Sequence, residues 1–238
     1  MWFAIPDRWP CRRRHLIYDP GERKLGRKSS RPGDDDPMSL VVAFSGHNGA
    51  VIAGDLREIL MQGPDAETAG FEQELYSGQI VNDTDLGKRA AERGIALQVR
   101  DDKCKVSEQG GILVGEVSES DGATVRIRRL FVSCGTYAII EITEGKMVLQ
   151  KTGKGSSFVV LGNEVTKRIA HDMIQEEWKN GTFADAVRII IGIMTSAASC
   201  TASVSRAYTI LQTRRRADLD IATIMNFEKG SRDQEGGR

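Results

Sequence analysis

A serine, an aspartate and two lysines have the types and spacing to act together in catalysis: Ser39, Asp55, Lys103 and Lys105. A serine hydroxyl attacks a carbonyl carbon only when a base accepts its proton. A free α-amine, with a pKa of about 8, is such a base near neutral pH, and on a first residue it lies beside its own hydroxyl. Met38 precedes Ser39, and serine is small enough for ordinary removal of an initiator methionine. We therefore predict that the mature chain begins at Ser39.

Asp55 and one of the lysines would complete this site. A neighbouring ammonium lowers the pKa of the serine hydroxyl, and a carboxylate holds the lysine in position. Asp55 follows Ser39 by sixteen residues. Lys103 and Lys105 are two residues apart and so share one face of a predicted strand. Each residue also has a purely structural interpretation. The serine could be an ordinary strand residue, the aspartate a turn or cap residue, and either lysine a solvated side chain.

The elements around the proposed nucleophile form a predicted β-hairpin. Residues 40–44 and 50–53 are apolar runs, and residues 45–49 form the loop between them. Asn48-Gly49 within that loop is a strong hairpin signal because both residues tolerate a positive φ. Since nearly every strand position is apolar, we expect both strands to be covered on both faces, inside a layered structure.

The rest of the chain alternates between helical and β patterns. The spacing of apolar and charged residues predicts helices at residues 66–76, 83–93, 158–178 and 183–198. Short apolar or alternating runs between glycine turns predict strands at residues 95–99, 103–106, 111–117, 124–132, 137–142, 146–151 and 203–213. This order predicts an α+β domain over residues 39–213, with helices packed outside sheets and a helical insert at residues 64–94.

The two ends of the chain differ in composition from this domain. Residues 1–38 contain five prolines and many basic residues without an apolar period, which predicts disorder or a non-native extension. Residues 214–238 are polar, charged and end in glycines, which predicts a flexible tail.

Composition excludes several functional classes. The formal net charge is zero, so we expect no binding of nucleic acid, and no apolar run is long enough to predict membrane insertion. Four widely spaced cysteines without a C-x-x-C motif are typical of a reducing compartment, and we expect a cytoplasmic protein. The three histidines are too scattered to predict a metal site, residues 153–156 (GKGS) lack phosphate-loop spacing, and we expect no cofactor.

Three stretches resemble the β-subunits of proteasomes, which belong to the N-terminal nucleophile superfamily. SLVVAFSGHNGAVIAGDLRE resembles their opening hairpin, in which an A-x-D-x-R pattern carries the catalytic aspartate. TGKGSSFVVLGNE resembles their glycine-serine turn before the third helix, and TFADAVRIIIGIMTSAASCTASVSRAYTILQT resembles the helix and last strand that follow. The resemblance implies a four-layer αββα sandwich.

More closely, the chain resembles the connectases, which are archaeal proteasome homologues from methanogens. The stretches VVAFSGHNGAVIAGDLREI, ELYSGQI, LVGEVS and GSSFVVLGNEVTKRIA carry this likeness. The resemblance implies a sequence-specific protein ligase that needs no ATP. Such an enzyme cuts a peptide bond in a motif containing Asp-Pro-Gly, holds the acyl part on its N-terminal residue and passes it to another amine. The implied partner is the A subunit of the membrane methyltransferase of methanogenesis.

The resemblance also assigns site residues. The A-x-D-x-R pattern implies that Asp55 and Arg57 belong to the catalytic group. Lys105 is favoured over Lys103 because the apolar Val106 follows it, as an apolar residue follows the proteasome lysine. The glycine-serine turn implies three substrate-binding residues: Gly155, Ser156 and Ser157.

One region departs from the proteasome pattern. Where proteasomes carry a later aspartate and serine, this chain reads SAASCTAS, which has no acid and offers only Ser199 and Ser203 as loose equivalents. The departure suits a transferase better than a protease. Three functions are left open: the protein ligase, a peptidase or amidase of the same fold, and a non-catalytic proteasome-like binding module.

Overall fold

The computed structural model describes residues 39–120, 124–179, 181–219 and 222–224. The extension predicted at residues 1–38 lies outside the described residues. Within them the chain has the predicted α+β class, with helices and antiparallel strand pairs.

The chain begins with three strands and two helices, continues with seven strands and two further helices, and closes with one strand in the described residues. The strands are β1 (Val41–Gly46), β2 (Gly49–Asp55), β3 (Glu58–Gln62), β4 (Ala96–Arg100), β5 (Val106–Gln109), β6 (Ile112–Ser120), β7 (Val125–Ser133), β8 (Thr136–Thr143), β9 (Lys146–Lys154), β10 (Ser157–Leu161) and β11 (Tyr208–Thr213). The helices are α1 (Asp65–Tyr76), α2 (Asp83–Glu92), α3 (Glu164–Glu177) and α4 (Phe183–Cys200). Among the strands of the described chain, β3 and β10 are those that the sequence did not predict.

β10 replaces the first part of the helix predicted at residues 158–178. Its Phe-Val-Val sequence is aromatic and β-branched, which favours a strand, and it pairs with β1. α3 begins only after Asn163, whose side-chain oxygen accepts the N–H of Thr166 as an N-cap. The helix prediction was wrong at its start because the apolar positions of the strand and of the helix continue one another in the sequence.

β1 and β2 form the predicted hairpin, but with a different turn. Gly46 pairs with Gly49, so His47 and Asn48 are the two turn residues. Neither Asn48 nor Gly49 has a positive φ, so the conformational reason behind the Asn-Gly prediction does not apply here. Every residue of both strands is buried, which confirms that this sheet is covered on both faces.

These two strands lie in the middle of a four-stranded sheet of order β10-β1-β2-β11. One face packs against α3 and α4 through a core that includes Val42, Val51 and Ile190. The other face packs against a five-stranded sheet, β5-β6-β7-β8-β9, through residues that include Ile52 and Leu113. Full burial of one such side chain contributes roughly 1.5–3 kcal/mol, so the first core holds the helices and the second holds the five-stranded sheet against the four-stranded sheet.

Two glycines let the sheets approach closely beside the end of β2. A β-carbon at Gly54 would lie 2.8 Å from the side chain of Val106. A β-carbon at Gly115 would lie 2.6 Å from the side chain of Val41. Both distances are shorter than a carbon–carbon contact allows. The absence of side chains here therefore brings Lys105, which precedes β5, over the end of β2.

The outer face of the five-stranded sheet is covered by residues from the tail predicted at 214–238. Leu219 and Ile224 are 4% and 2% exposed and pack into the core on this face. Ser133 and Ala217 exchange two hydrogen bonds, at 2.9 and 3.1 Å. The described part of the tail is thus packed rather than flexible, because its few apolar side chains cover an apolar sheet face. Helix on this face is described only at 222–224, so the fourth layer stays a prediction.

The predicted helical insert includes a two-stranded sheet as well as its two helices. β3 and β4 enclose α1 and α2 and pair from Glu58 with Arg100 to Gln62 with Ala96. A separate core joins these elements: Ile59, Phe71, Leu75, Ile80, Leu86, Ala90, Ile95 and Ala202. All of these residues except Ala202 lie in β3 or between β3 and β4 in the sequence, so the insert packs largely on itself.

In the described part of the chain, one helix, α4, is long and apolar enough to cross a membrane. It has 18 residues and a mean hydropathy of 1.4. Its apolar face includes Ile189, Ile193 and Met194, which are buried in the core beneath the four-stranded sheet. This packing explains why α4 is so apolar: it is a core helix.

We expect the two large sheets to fold without α1 and α2. Replacing residues 63–95 with Gly-Asn-Gly would join β3 directly to β4, since Gln62 and Ala96 are already a cross-strand pair. The change removes no side chain from the cores of the two large sheets. Circular dichroism should therefore keep its strand signal, and thermal unfolding should stay cooperative, while recognition of a peptide substrate should be lost.

Lys88→Ala, on the exposed side of α2, is the matched control and should change neither property. A replacement variant without a cooperative transition would show that the insert is needed for folding.

Candidate active site

Asp55 and Lys105 form a buried ion pair at one end of the four-stranded sheet. Asp55 is the last residue of β2, and Lys105 directly precedes β5. Lys105 Nζ lies 2.7 Å from Asp55 Oδ1, and the two side chains are 3% and 0% exposed. The tertiary structure therefore brings together two residues that the sequence separates by a whole subdomain.

The Asp55 carboxylate also fixes the backbone next to Ser39. Its Oδ1 accepts the N–H of Leu40 at 2.8 Å, and its Oδ2 accepts the N–H of Arg57 at 2.9 Å. The backbone N–H of Asp55 donates to the carbonyl oxygen of Leu40 at 3.1 Å. Because Leu40 follows Ser39, these bonds hold the proposed nucleophile in register with the ion pair.

The environment of Lys105 makes its ammonium easier to deprotonate. Burial lowers the pKa of Lys105 below its ordinary value of 10.5, although the neighbouring Asp55 acts in the opposite direction. The amine also donates to the carbonyl oxygen of Arg57 at 2.6 Å. A lysine with a lowered pKa gives up its proton more readily and can act as a base.

A pocket of about 240 Å³ opens beside Ser39 and Lys105. Ser39 is 8% exposed. The other residues that line the pocket are Arg57, Glu58, Ile59, Leu60, Glu72, Tyr76, Lys103, Ser118 and Val125. Since five of these come from β3 and α1, the insert forms much of the pocket wall.

Lys103 lies at the rim of this pocket. Its side chain is 46% exposed, and its Nζ lies 2.5 Å from Glu58 Oε1. The predicted strand at 103–106 begins only at Val106. Lys103 and Lys105 therefore do not share a strand face as predicted, and the pairing with the aspartate is made by Lys105.

Arg57 directs its guanidinium away from the ion pair and toward the insert. It donates to both carboxylate oxygens of Asp101, at 2.8 and 2.9 Å, to Asp83 at 2.5 Å and to the carbonyl oxygen of Ala202 at 2.8 Å. The hydrogen bonds to Asp101 raise the pKa of Arg57, and the same bonds lower the pKa of Asp101. These contacts make Arg57 a positioning residue rather than a member of the reacting group.

The structure does not bring Gly155, Ser156 and Ser157 to this pocket. Ser157 pairs with Ser45, at the far end of β1 from Ser39. Six strand residues span about 20 Å, at about 3.4 Å per residue. The assignment of these three residues to the substrate site near Ser39 is therefore corrected: they lie at the opposite end of the sheet.

Gly162 and Asn163, which the sequence analysis did not select, lie next to Ser39 instead. A β-carbon at Gly162 would lie 3.3 Å from the carbonyl oxygen of Ser39 and 2.4 Å from Thr166 Oγ1. Asn163 is buried and donates to Ser203 Oγ at 3.2 Å. A glycine followed by a helix N-cap asparagine is a signal that the sequence carries and that could have identified this turn.

The two serines considered as loose proteasome equivalents differ in their surroundings. Ser203 is buried and shares a hydrogen bond of 3.0 Å with Thr201, besides its contact with Asn163. Ser199 is exposed on α4 and donates to the carbonyl oxygen of Thr195. Ser203 thus supports the turn beside Ser39, whereas Ser199 does not line the pocket beside Ser39. In the part of the chain that the structure describes, no cluster of His, Cys, Asp and Glu could hold a metal ion.

The chain is similar to one protein family and, more distantly, to solved structures. A family model described as "Connectase MJ0548-like, N-terminal domain" matches residues 38–227. No curated protein matches. Among solved structures, Anbu (ancestral beta-subunit) from Yersinia bercovieri is 12% identical, with a TM-score of 0.35, and the match covers 82% of this chain and 94% of that one. A helical assembly of the Anbu complex from Pseudomonas aeruginosa is 13% identical, with a TM-score of 0.33 and coverage of 83% and 95%. The family match includes all the described residues.

Arg57→Lys should destabilise the fold. A lysine keeps the charge but cannot donate to Asp101 in two parallel bonds while also reaching Asp83 and the Ala202 carbonyl. We expect a loss of about 2–4 kcal/mol in the free energy of unfolding at neutral pH, measured by urea denaturation. Because the pKa of Asp101 is lowered, its contribution is complete above its ordinary value of 3.8 and disappears as the pH falls through the lowered value.

The difference between wild type and variant should therefore shrink as the pH falls below 3.8. Arg188→Lys is the control, since Arg188 is 74% exposed in its pair with Asp185 and should change the unfolding free energy by less than about 0.5 kcal/mol. Equal stability of wild type and Arg57→Lys at neutral pH would contradict the role given to the guanidinium.

Proposed function

The chain belongs to the connectase family, and from this membership we propose that it is a sequence-specific, ATP-independent peptide ligase. One observation carries the proposal: Lys105, which pairs with the buried Asp55, lines the same pocket as Ser39. In the proposal Ser39 is the first residue of the mature chain and the nucleophile. The four-layer αββα sandwich of N-terminal nucleophile enzymes is part of the same proposal.

The first step forms an ester on Ser39. The hydroxyl oxygen attacks the carbonyl carbon of the peptide bond, and its proton passes to Lys105 in its neutral form, which burial makes more accessible by lowering the pKa of Lys105. In this step Lys105 takes the role of base that the sequence analysis gave to the α-amine. The C–N bond then breaks, and the leaving amine takes that proton. Asp55 keeps the lysine in place and, through the N–H of Leu40, keeps the serine in register.

The second step stores the acyl group and passes it on. The free α-amine of Ser39 attacks the ester carbonyl through a five-membered transition state, which breaks the ester bond and leaves an amide. An amide resists water better than an ester, and the shift can reverse. A second amine then attacks the ester carbon, releases the serine hydroxyl and forms a new peptide bond. Exchange of one peptide bond for another is close to thermoneutral, which is why no ATP is needed.

The open edge of β3 is a suitable place for the peptide substrate. In the part of the chain that is described, β3 pairs with β4 alone, so its other edge can accept an extended strand. Glu58, Ile59 and Leu60 of this strand line the pocket, and Leu60 is 47% exposed. A peptide on this edge would carry its reacting bond toward Ser39.

The proposed substrate is a protein segment with an Asp-Pro-Gly-type motif, and the A subunit of the methanogenic methyltransferase is the proposed partner. Both proposals rest on the family membership. A cytoplasmic location is also proposed. Among the described residues, Cys104, Cys134 and Cys200 form no disulfide bond, which is consistent with a reducing compartment.

Ser39→Ala should abolish acyl transfer. The chain without residues 1–38 is mixed with a peptide that contains Asp-Pro-Gly, and intact mass is followed; the wild type should gain the acyl part on residue 39. Loss of a nucleophile or positioned base lowers rates by about 10²–10⁴ or more. Ser39→Thr keeps a hydroxyl and should retain part of the activity, whereas Asp55→Asn should lose most of it.

The fate of the adduct separates the three functions. An adduct that a second amine removes, with the new peptide as product, supports the ligase. Rapid cleavage with no transfer supports a peptidase, and neither adduct nor cleavage across a peptide library supports a binding module.

Adduct formation should also depend on the protonation of Lys105. A base must be neutral, so the rate should rise with pH and level off below the ordinary lysine pKa of 10.5. Lys105→Arg keeps the positive charge but stays protonated, and should lower the rate by about 10²–10⁴. Lys103→Arg is the matched control and should act like the wild type, because Lys103 lies at the rim against Glu58. A Lys105→Arg enzyme with full rate would show that the lysine acts only through its charge.

A further inference from the structure

The groove between β10 and α3 is not used by the proposed reaction. β10 is the outer strand of the four-stranded sheet, so within the described residues one of its edges has no strand partner. The groove has a volume of about 700 Å³. Its lining residues are Phe44, Ser156, Ser157, Phe158, Val160, Lys167, Arg168, His171, Ile174 and Trp178. None of them is acidic, in contrast to the pocket beside Ser39, which Glu58 and Glu72 line.

The groove is aromatic at one end and basic at the other. At the aromatic end, the ring centroids of Phe158 and Trp178 lie 5.2 Å apart. Only Gly162 and Asn163 separate β10 from α3, so the helix runs back along the strand. Its early residues, which include Arg168, therefore lie toward the Gly162 end of the groove, and its C-terminal end lies at the aromatic rings.

We propose that this groove is a docking site for an extended segment of a partner protein that is acidic toward Gly162 and apolar toward Trp178. The segment adds a strand to the open edge of β10, so that its backbone forms hydrogen bonds with that edge. Alternate side chains of a strand face the same side. A carboxylate on that side meets the basic turn of α3, and the large apolar side chains that follow enter the aromatic end.

A second copy of this chain fits the groove less well than such a segment. Two copies joined edge to edge through β10 would be related by a two-fold axis and run antiparallel. The basic end of one groove would then lie against the aromatic end of the other, and no carboxylate from either groove lining would meet Arg168. Charge complementarity therefore favours an acidic partner segment.

The test measures peptide binding in a Ser39→Ala background, where the proposed reaction does not occur. The probe is fluorescein-Gly-Asp-Thr-Asp-Thr-Phe-Thr-Leu-Gly-amide, whose Asp, Phe and Leu side chains all face one side of a strand. Fluorescence anisotropy should show saturable binding that weakens as salt is added. Arg168→Glu should raise the Kd by roughly tenfold or more.

Two matched controls accompany this measurement. Arg188→Glu makes the same change of charge on α4, on a residue that does not line the groove, and should leave the Kd within about twofold of wild type. A probe with both Asp residues replaced by Lys should not bind. Circular dichroism verifies that Arg168→Glu is folded, which an exposed site should permit.

Three results would overturn the proposal. The first is an Arg168→Glu variant that is folded and binds the probe as tightly as wild type. The second is equal binding of the lysine probe. The third is a dimer in sedimentation experiments that the probe dissociates, which would assign the groove to a second copy of the chain.

Discussion

The buried ion pair between Asp55 and Lys105 is the interaction on which the rest of the site depends. Moving two charges out of water costs several kcal/mol per ion, and only good geometry and further hydrogen bonds offset that cost. Asp55 receives those bonds from the backbone of Leu40 and Arg57, and Lys105 donates one to the carbonyl of Arg57. The pair is therefore stable only when β1, β2 and the chain before β5 are all in place.

The same few residues connect the ion pair to the insert. Arg57 contributes backbone groups to both members of the pair, while its guanidinium binds Asp101 and Asp83. Asp83 lies inside the insert, at the start of α2, and Asp101 lies just after β4. One arginine thus contacts both the Asp55–Lys105 pair and the insert that forms much of the wall of the Ser39 pocket. This shared contact explains how an insert with its own core stays in register with the sheets.

Much of the local structure could be predicted from the sequence. The β1–β2 hairpin was correctly predicted because nearly every position is apolar, and both long core helices followed from their apolar period. β10 was missed because a short Phe-Val-Val run before a helix has no period that separates it from that helix. In the described part of the tail, residues 214–219 and 222–224, the burial of Leu219 and Ile224 was missed because they are isolated apolar residues whose burial depends on a distant sheet.

The sequence by itself determined which residues could react and that strands and helices would alternate, since side-chain chemistry and apolar period are local properties. The residue types left both lysines open, and the resemblance favoured Lys105. The tertiary structure shows that Lys105 meets Asp55, because Lys103 and Lys105 differ in burial and not in type. The tertiary structure also shows that Gly162, and not residues 155–157, lies beside Ser39. The reason is strand register, which sets the end of β10 that lies next to the start of β1. Contacts between residues far apart in the chain depend on sheet packing, which no local pattern encodes.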